Sequence, residues 1–188
     1  MSRTLRSVAL FMASLLLTGA ALADDYSDTT ALFRKAGESS RYFSDSYGYA
    51  VFPTVGKGGV VVGGAFGRGQ VFRGGTVVAD VSLTQVSVGF QLGGQAYSEI
   101  IFFENKTTFD DFLSGNFEFG ADASAVAITA GASASASSAG GASASASGTK
   151  DKAVATGAYH HGVAVFTIAK GGLMYQAAIS GQKFTVSK

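Results

Sequence analysis

Residues 56–69 read GKGGVVVGGAFGRG, seven glycines in fourteen positions, with Lys57 and Arg68 among them. The stretch is either a loop that cradles phosphate or a piece of sheet. A phosphate loop needs G-x-x-x-x-G-K-[ST], so that backbone amides and the lysine surround the phosphates. Here Gly58 follows Lys57, and no hydroxyl residue comes next. A dinucleotide fingerprint needs G-x-G-x-x-G opening a helix. Gly64, Gly67 and Gly69 run in the opposite order, and Val71-Phe72 continue as strand. In a sheet, glycine permits bends, bulges and close backbone approach. The stretch therefore reads as sheet.

Working outward, the side-chain period on both sides is two. Val77, Ala79, Val81 and Leu83 alternate with polar or opposite-facing neighbours, and Val86, Val88, Phe90 and Leu92 do the same. The apolar parity changes between Leu83 and Val86, which predicts a turn, a bulge or a change of partner there. Residues 99–104, EIIFFE, form a short apolar run closed by charges and predict a strand buried on both faces. Val163–Ile168, Leu173–Ile179 and Lys183–Val186 are further strands, separated at hairpin spacing by Gly171-Gly172 and Ser180-Gly181. A short helix is predicted over Thr107–Ser114. Thr108 and Asp111 form its capping pair, Phe109, Phe112 and Leu113 share one face, and Gly115 ends it. Phe117 and Phe119 then start another alternating strand. Many short strands with glycine turns and few helices give a mainly β, α+β fold: an antiparallel barrel or sandwich with flanking helices.

The N-terminal region differs. Arg3 and Arg6 precede an apolar run over 8–17, and Ala21-Leu22-Ala23 forms an A-x-A site before Asp24-Asp25. That layout predicts a cleaved secretory signal peptide over 1–23. Export to periplasm or medium follows. Arg3 and Arg6 are two of 14 basic residues against 13 acidic ones, so the remainder carries almost no net charge, and nothing global points to nucleic acid. Residues 24–45 predict an amphipathic helix with Leu32, Ala36, Ser40 and Phe43 on its apolar side. Arg34, Lys35 and Arg41 lie among them, together with Asp28, Glu38 and Asp45. The helix packs on the sheet with a solvated face, or it lies on a membrane surface. The main domain is 46–188. Within it, residues 129–149 alternate alanine and serine around Gly140-Gly141, as a flexible excursion or a weakly held hairpin.

Residue types argue against catalysis. There is no cysteine, so thiol chemistry and thiolate metal sites are excluded. His160-His161 are the two histidines, and too few acidic residues lie nearby to complete a metal set, so they read as a surface turn. No G-x-S-x-G elbow exists. Asp110-Asp111 and Glu118 fit helix-start and strand positions better than a carboxylate pair. No cofactor and no metal is implied, and the reading is non-enzymatic.

Ordered motifs carry a resemblance. YGYAVFPTVGKGGVVVGGAFGRGQVF (47–72), SVGFQLGGQAYSEIIFF (87–103), LSGNFEFGADASA (113–125) and GVAVFTIAKGGLMYQAAISGQKF (162–184) resemble the SYLF domain. The likeness runs from about Tyr42 to Lys188 and looks like the exported bacterial, lipid-binding branch. That branch is related to the actin-binding domain of yeast actin-patch proteins. The resemblance implies a compact β-rich domain that binds rather than catalyses. It implies membrane contact through the N-terminal amphipathic segment, with Arg34, Lys35 and Arg41 as cations and Lys57 and Arg68 as further candidates. The expected partner is an anionic lipid or membrane surface. Self-association as a structural protein of the envelope is the alternative, and actin binding is not expected as the physiological role.

Overall fold

The computed structural model describes residues 25–59, 62–88, 95–115, 117–120, 123, 125–128, 158–170, 179 and 181–187. The signal peptide expected over 1–23, the alanine-serine tract and the parts of the expected strands over 89–92 and 173–178 lie outside the described residues. Four helical segments and seven strands make up the rest. They are α1 (25–35), α2 (Gly37–Ser40), α3 (Tyr42–Asp45), β1 (Gly48–Gly59), β2 (Val62–Arg73), β3 (Thr76–Val88), β4 (Gln95–Phe103), α4 (Lys106–Leu113), β5 (Val126–Ile128), β6 (Val163–Lys170) and β7 (Gln182–Ser187).

The strands form one sheet in the order β5-β6-β4-β1-β2-β3-β7. Every pairing is antiparallel except β5 with β6. The sheet is not closed into a barrel, yet it curls strongly. Beyond β7, Phe119 N–H donates to the Gln182 carbonyl and Phe184 N–H to the Phe117 carbonyl. A few residues later the same chain forms β5 on the opposite edge. Seven residue steps from 119 to 126 span at most about 25 Å, so the two edges must approach one another. Four strands separate β6 from β7 in the sheet, and the hairpins expected at Gly171-Gly172 and Ser180-Gly181 involve 173–178, outside the described residues.

The 56–69 stretch pairs with itself, Gly56 opposite Phe66 and Gly59 opposite Gly63. It is the β1–β2 hairpin. Its glycines differ in purpose. A Cβ on Gly69 would stand 2.6 Å from the Phe52 ring and 2.7 Å from the Val51 carbonyl. Side chains added at Gly56 or Gly58 would meet nothing within 4 Å. Gly69→Ala is expected to cost roughly 1–3 kcal/mol through overpacking, and Gly56→Ala much less. Urea melts of the two variants check this.

Pro53 sits inside β1, where the register shifts against both neighbours. Such bulges accommodate a residue without an N–H. The Ser98 hydroxyl donates to the Pro53 carbonyl at 2.7 Å, satisfying a buried acceptor. The bulge also switches the faces of β1. Ala50 and Phe52 point inward before it, and Val55 and Lys57 after it.

Two apolar layers result. The inner one gathers Phe52, Val55, Leu83, Ile101, Phe103 and Phe184 with Phe109 and Phe112 of α4. The outer one packs Phe33, Ala36 and Tyr42 onto Tyr49, Ile100, Phe102 and Phe166. Ile100–Phe103 are all fully buried, so the EIIFFE run is buried on both faces as its composition predicts. Glu99, however, does not close the run. It lies in mid-strand and is fully buried.

Three local expectations change. The buried positions of the N-terminal helices are Thr29, Phe33, Ala36, Ser39 and Tyr42, while Leu32 is 54% exposed. The helix is broken at Ala36, which takes an extended ψ of 124°, and again at Arg41. These interruptions keep the buried residues from Phe33 onward at three-residue spacing. The cap of α4 is Asn105, whose side chain accepts the Thr108 N–H at 3.0 Å, rather than Thr108. Asn105→Ala should lower stability by about 1 kcal/mol, read as a shift in the urea midpoint. Finally, β3 runs without a bulge from Leu83 to Val86. Pairing with β7 ends at Gln85, but the faces do not switch. Gln85 is buried and Val86 is 76% exposed.

Candidate functional site

The helix-bearing outer face carries most of the candidate cations. Arg34 on α1 is exposed, with its guanidinium 4.2 Å above the Phe43 ring. Lys35 is exposed beside it. Arg41, between α2 and α3, donates to the Tyr42 hydroxyl at 3.1 Å. That bond strengthens its hold on its proton. Arg68 is exposed on the outer side of β2. Two grooves flank the start of α1 and share Tyr26. One, of about 470 Å³, is lined by Thr30, Arg34, Tyr49, Gln70 and Phe72. The other, of about 340 Å³, is lined by Pro53, Thr54, Phe66 and Arg68. Burial raises the Tyr26 and Tyr49 hydroxyls above their ordinary range, and Arg68 and Arg34 partly offset this.

The structure thus brings Arg34 and Arg68 to opposite flanks of one helix, with Lys35 on that helix and Arg41 further along the strap. Lys57 is different. It lies on the inner face, half-buried, and burial lowers its pKa. It does not share a surface with the other four.

Large exposed apolar side chains fall on the same outer side. Among the described residues these are Leu32, Phe66, Val77, Val78 and Val86. Leu32 is on α1. Phe66 alternates with the buried Ala65 and Gly67, and Val86 with the buried Gln85.

The inner face holds a second constellation that sequence reasoning missed. Glu99 and Thr167 are direct cross-strand partners on β4 and β6, and both are fully buried. The Gln182 side-chain amide on β7 donates to Glu99 Oε2 at 3.0 Å and to the Tyr97 hydroxyl at 3.1 Å. Glu99 Oε1, Thr167 Oγ1 and Gln182 Oε1 are buried with no hydrogen-bond partner among the described residues. Burial pushes the Glu99 carboxyl up to about 8, and the Gln182 amide only partly counters it. Tyr97 is raised by burial and then by Glu99. The only trace in the sequence is that Glu99 interrupts the odd-numbered inward series Tyr97, Ile101, Phe103.

No group of three or more histidine, cysteine, aspartate or glutamate side chains able to hold a metal occurs among the described residues. His160 and His161 form a tight turn before β6, with His161 at φ 50° and Gly162 at φ 78°. No helix among the described residues is long and apolar enough to cross a membrane.

The architecture defines an α+β domain built on one curled, largely antiparallel sheet with helices on both faces. The chain belongs to the SYLF family: a family model described as "Ysc84: Las17-binding protein actin regulator" matches residues 84–188. It is also similar to Beta cell expansion factor A of Aeromonas veronii, 28% identical over 166 residues. That match covers 84% of this chain and 52% of the relative, so the chain spans about half the length of the curated protein it matches.

Proposed function

We propose that this is an exported, non-catalytic domain that binds anionic lipid surfaces through its helix-bearing outer face. Residues 1–23 act as the signal peptide that directs export. The carrying observation is the one-sided placement of exposed apolar side chains, Leu32, Phe66 and Val86 among them, together with Arg34, Lys35 and Arg68. Apolar side chains can enter the headgroup boundary while cations stay at the phosphates. Each cation held near a charged leaflet contributes about 1 kcal/mol. Membership of a family whose members are binding domains supports the reading.

Co-sedimentation with vesicles of phosphatidylglycerol and of phosphatidylcholine tests it. The chain from Asp24 should be retained by the anionic vesicles and little by the neutral ones. Arg34→Ala, Lys35→Ala and Arg68→Ala combined should weaken binding at least tenfold, and Phe66→Ser with Val86→Ser should weaken it independently of salt. Equal retention on both vesicle types would refute the proposal. Light scattering in the same buffer separates lipid binding from self-association, which would appear as a multimer without vesicles.

A further inference from the structure

We propose that the outward-facing glycines of the β1–β2 hairpin floor a seat for one anionic phospholipid molecule. Its phosphate sits between Arg68 and Lys170 at Thr54, and one acyl chain runs over Gly56 and Gly58 beside Phe66. The seat rests on the reading of the outer face as lipid-binding and adds a single bound molecule to it.

The glycines of this hairpin divide by face. Gly67 and Gly69 face inward, where an added Cβ would stand 2.9 Å from Val55 and 2.6 Å from Phe52, so the core excludes a side chain there. Gly56 and Gly58 face outward after the bulge at Pro53, and a Cβ at either meets no atom within 4 Å. Neither has a positive φ, and both pair in register within the ladder, with Phe66 and Gly64. Packing, backbone conformation and turn geometry therefore leave room for a side chain at both. Glycine weakens a strand interior, and what it offers in return is bare backbone that another molecule can approach closely. On β4 the residue opposite Gly56 is only Ala96. The outer face thus carries a strip without large side chains, bordered by the exposed Phe66 and Val86.

One end of the strip is cationic, and two different strands make it so. Arg68 on β2 is the direct cross-strand partner of Thr54 on β1, which puts their Cβ atoms about 5 Å apart. Lys170, at the end of β6, reaches across β4 and donates to Thr54 Oγ1 at 2.8 Å. That bond occupies a lone pair of the hydroxyl and leaves its proton to be donated. A phosphate at this point meets a guanidinium, an ammonium and a hydroxyl, and charge-assisted bonds of this kind are the strong ones. The groove of about 340 Å³ opens here, with Thr54, Arg68, Phe66 and Gly56 in its lining. Asp25 lines it as well, so two cations stand against one carboxylate and the balance favours an anion. From Thr54 to Gly58 the strip follows β1 for about 13 Å, the reach of a medium-length acyl chain. Free phosphate would leave Phe66 and the bare strip unused, and a neutral lipid would leave the two cations unanswered.

Isothermal titration calorimetry of the purified protein with short-chain lysophosphatidylglycerol, kept below its micelle-forming concentration, tests the seat. Lysophosphatidylcholine of the same chain length and glycerol phosphate are the comparisons. The anionic lysolipid should bind roughly tenfold more tightly than either. Gly56→Val combined with Gly58→Val fills the strip and should weaken that binding roughly tenfold, with a urea midpoint no lower than that of wild type. Lys170→Gln should reduce the preference for the anionic over the zwitterionic lysolipid. The proposal is overturned if the double glycine variant binds as tightly as wild type, or if lysophosphatidylcholine matches lysophosphatidylglycerol. It is also overturned if glycerol phosphate binds as tightly as the lysolipid, which would make this a site for phosphate alone. If the glycine variant does not fold, Lys170→Gln decides, and an unchanged preference overturns the seat. Vesicle co-sedimentation of wild type separates the two readings. Retention on phosphatidylglycerol vesicles without lysolipid binding overturns the seat and leaves the surface reading standing. Lysolipid binding without vesicle retention does the reverse.

Discussion

Raising the pH from 4.5 to 8 is expected to remove about 5 kcal/mol from the folding stability of this protein. The cause is Glu99, whose carboxyl is pushed up to about 8 in the folded chain from an ordinary value of 4.5. Between those values the folded state holds a proton that the unfolded chain has released. Stability therefore falls as pH rises through the window, by about 1.4 kcal/mol per pH unit, and levels off above pH 8. Glu99→Gln removes the proton exchange while keeping an oxygen that can accept from Gln182. Urea unfolding at pH 5 and pH 8 should show a large loss for wild type and a much smaller one for the variant. At pH 8 the variant should melt roughly 10–20 °C higher, given about 2–4 °C per kcal/mol for a domain of this size. An unchanged pH slope in Glu99→Gln would sink the assignment.

Phe102→Ala is expected to be the most damaging single truncation on the outer face. The ring is fully buried. It stacks on Tyr42 at 5.4 Å between centroids and meets Phe43 at 4.9 Å, Phe166 at 5.9 Å and Tyr49 at 6.0 Å. Removing it leaves a cavity between the helical strap and the sheet, at a cost of about 3–5 kcal/mol. Tyr42 and Phe43 hold α3 through this ring, so the strap should loosen before the sheet does. Hydrogen exchange should show α1–α3 losing protection while β1 and β2 keep theirs. Uniform loss across the sheet would contradict the assignment of Phe102 as the strap's anchor.

Much of this fold is legible in the sequence where one physical rule acts alone. The period-two pattern places β3, and the uninterrupted IIFF run declares a strand covered on both faces. Gly115, at φ 82°, ends α4 because the left-handed backbone there favours glycine. Legibility fails where two rules compete. Leu32 and Phe33 are both apolar, and only the breaks at Ala36 and Arg41 decide which one is buried. Asn105 and Thr108 can both cap a helix, and tertiary packing of Phe109 and Phe112 fixes the start. Gln85 looks like an outward residue because amides usually are, yet it is inside and Val86 is outside. The same bias hides Glu99. A carboxyl beside an apolar run is ordinarily its solvated end, and its burial depends on Thr167 and Gln182, far away in sequence. Of the candidate cations, Arg34, Lys35, Arg41 and Arg68 share the outer face. Lys57 is diverted inward by the bulge at Pro53, which alternation alone does not reveal.

The pairing of β3 with β7 joins residues such as Ser82 and Thr185, 103 positions apart. The β1–β2 and β2–β3 hairpins are local by comparison. Closing so long a loop is entropically costly before any contact rewards it, and sheets dominated by distant pairings fold slowly, in milliseconds to seconds. The hairpins should therefore form first, with the outer aromatic surface and the inner face both open to water. β7 arrives last and draws residues 117–119 into place with it. For that interval the chain presents unpaired strand edges and phenylalanines together. A chain with this topology is most exposed to aggregation during that delay, and a chaperone that covers the β3 edge would give it the largest kinetic benefit.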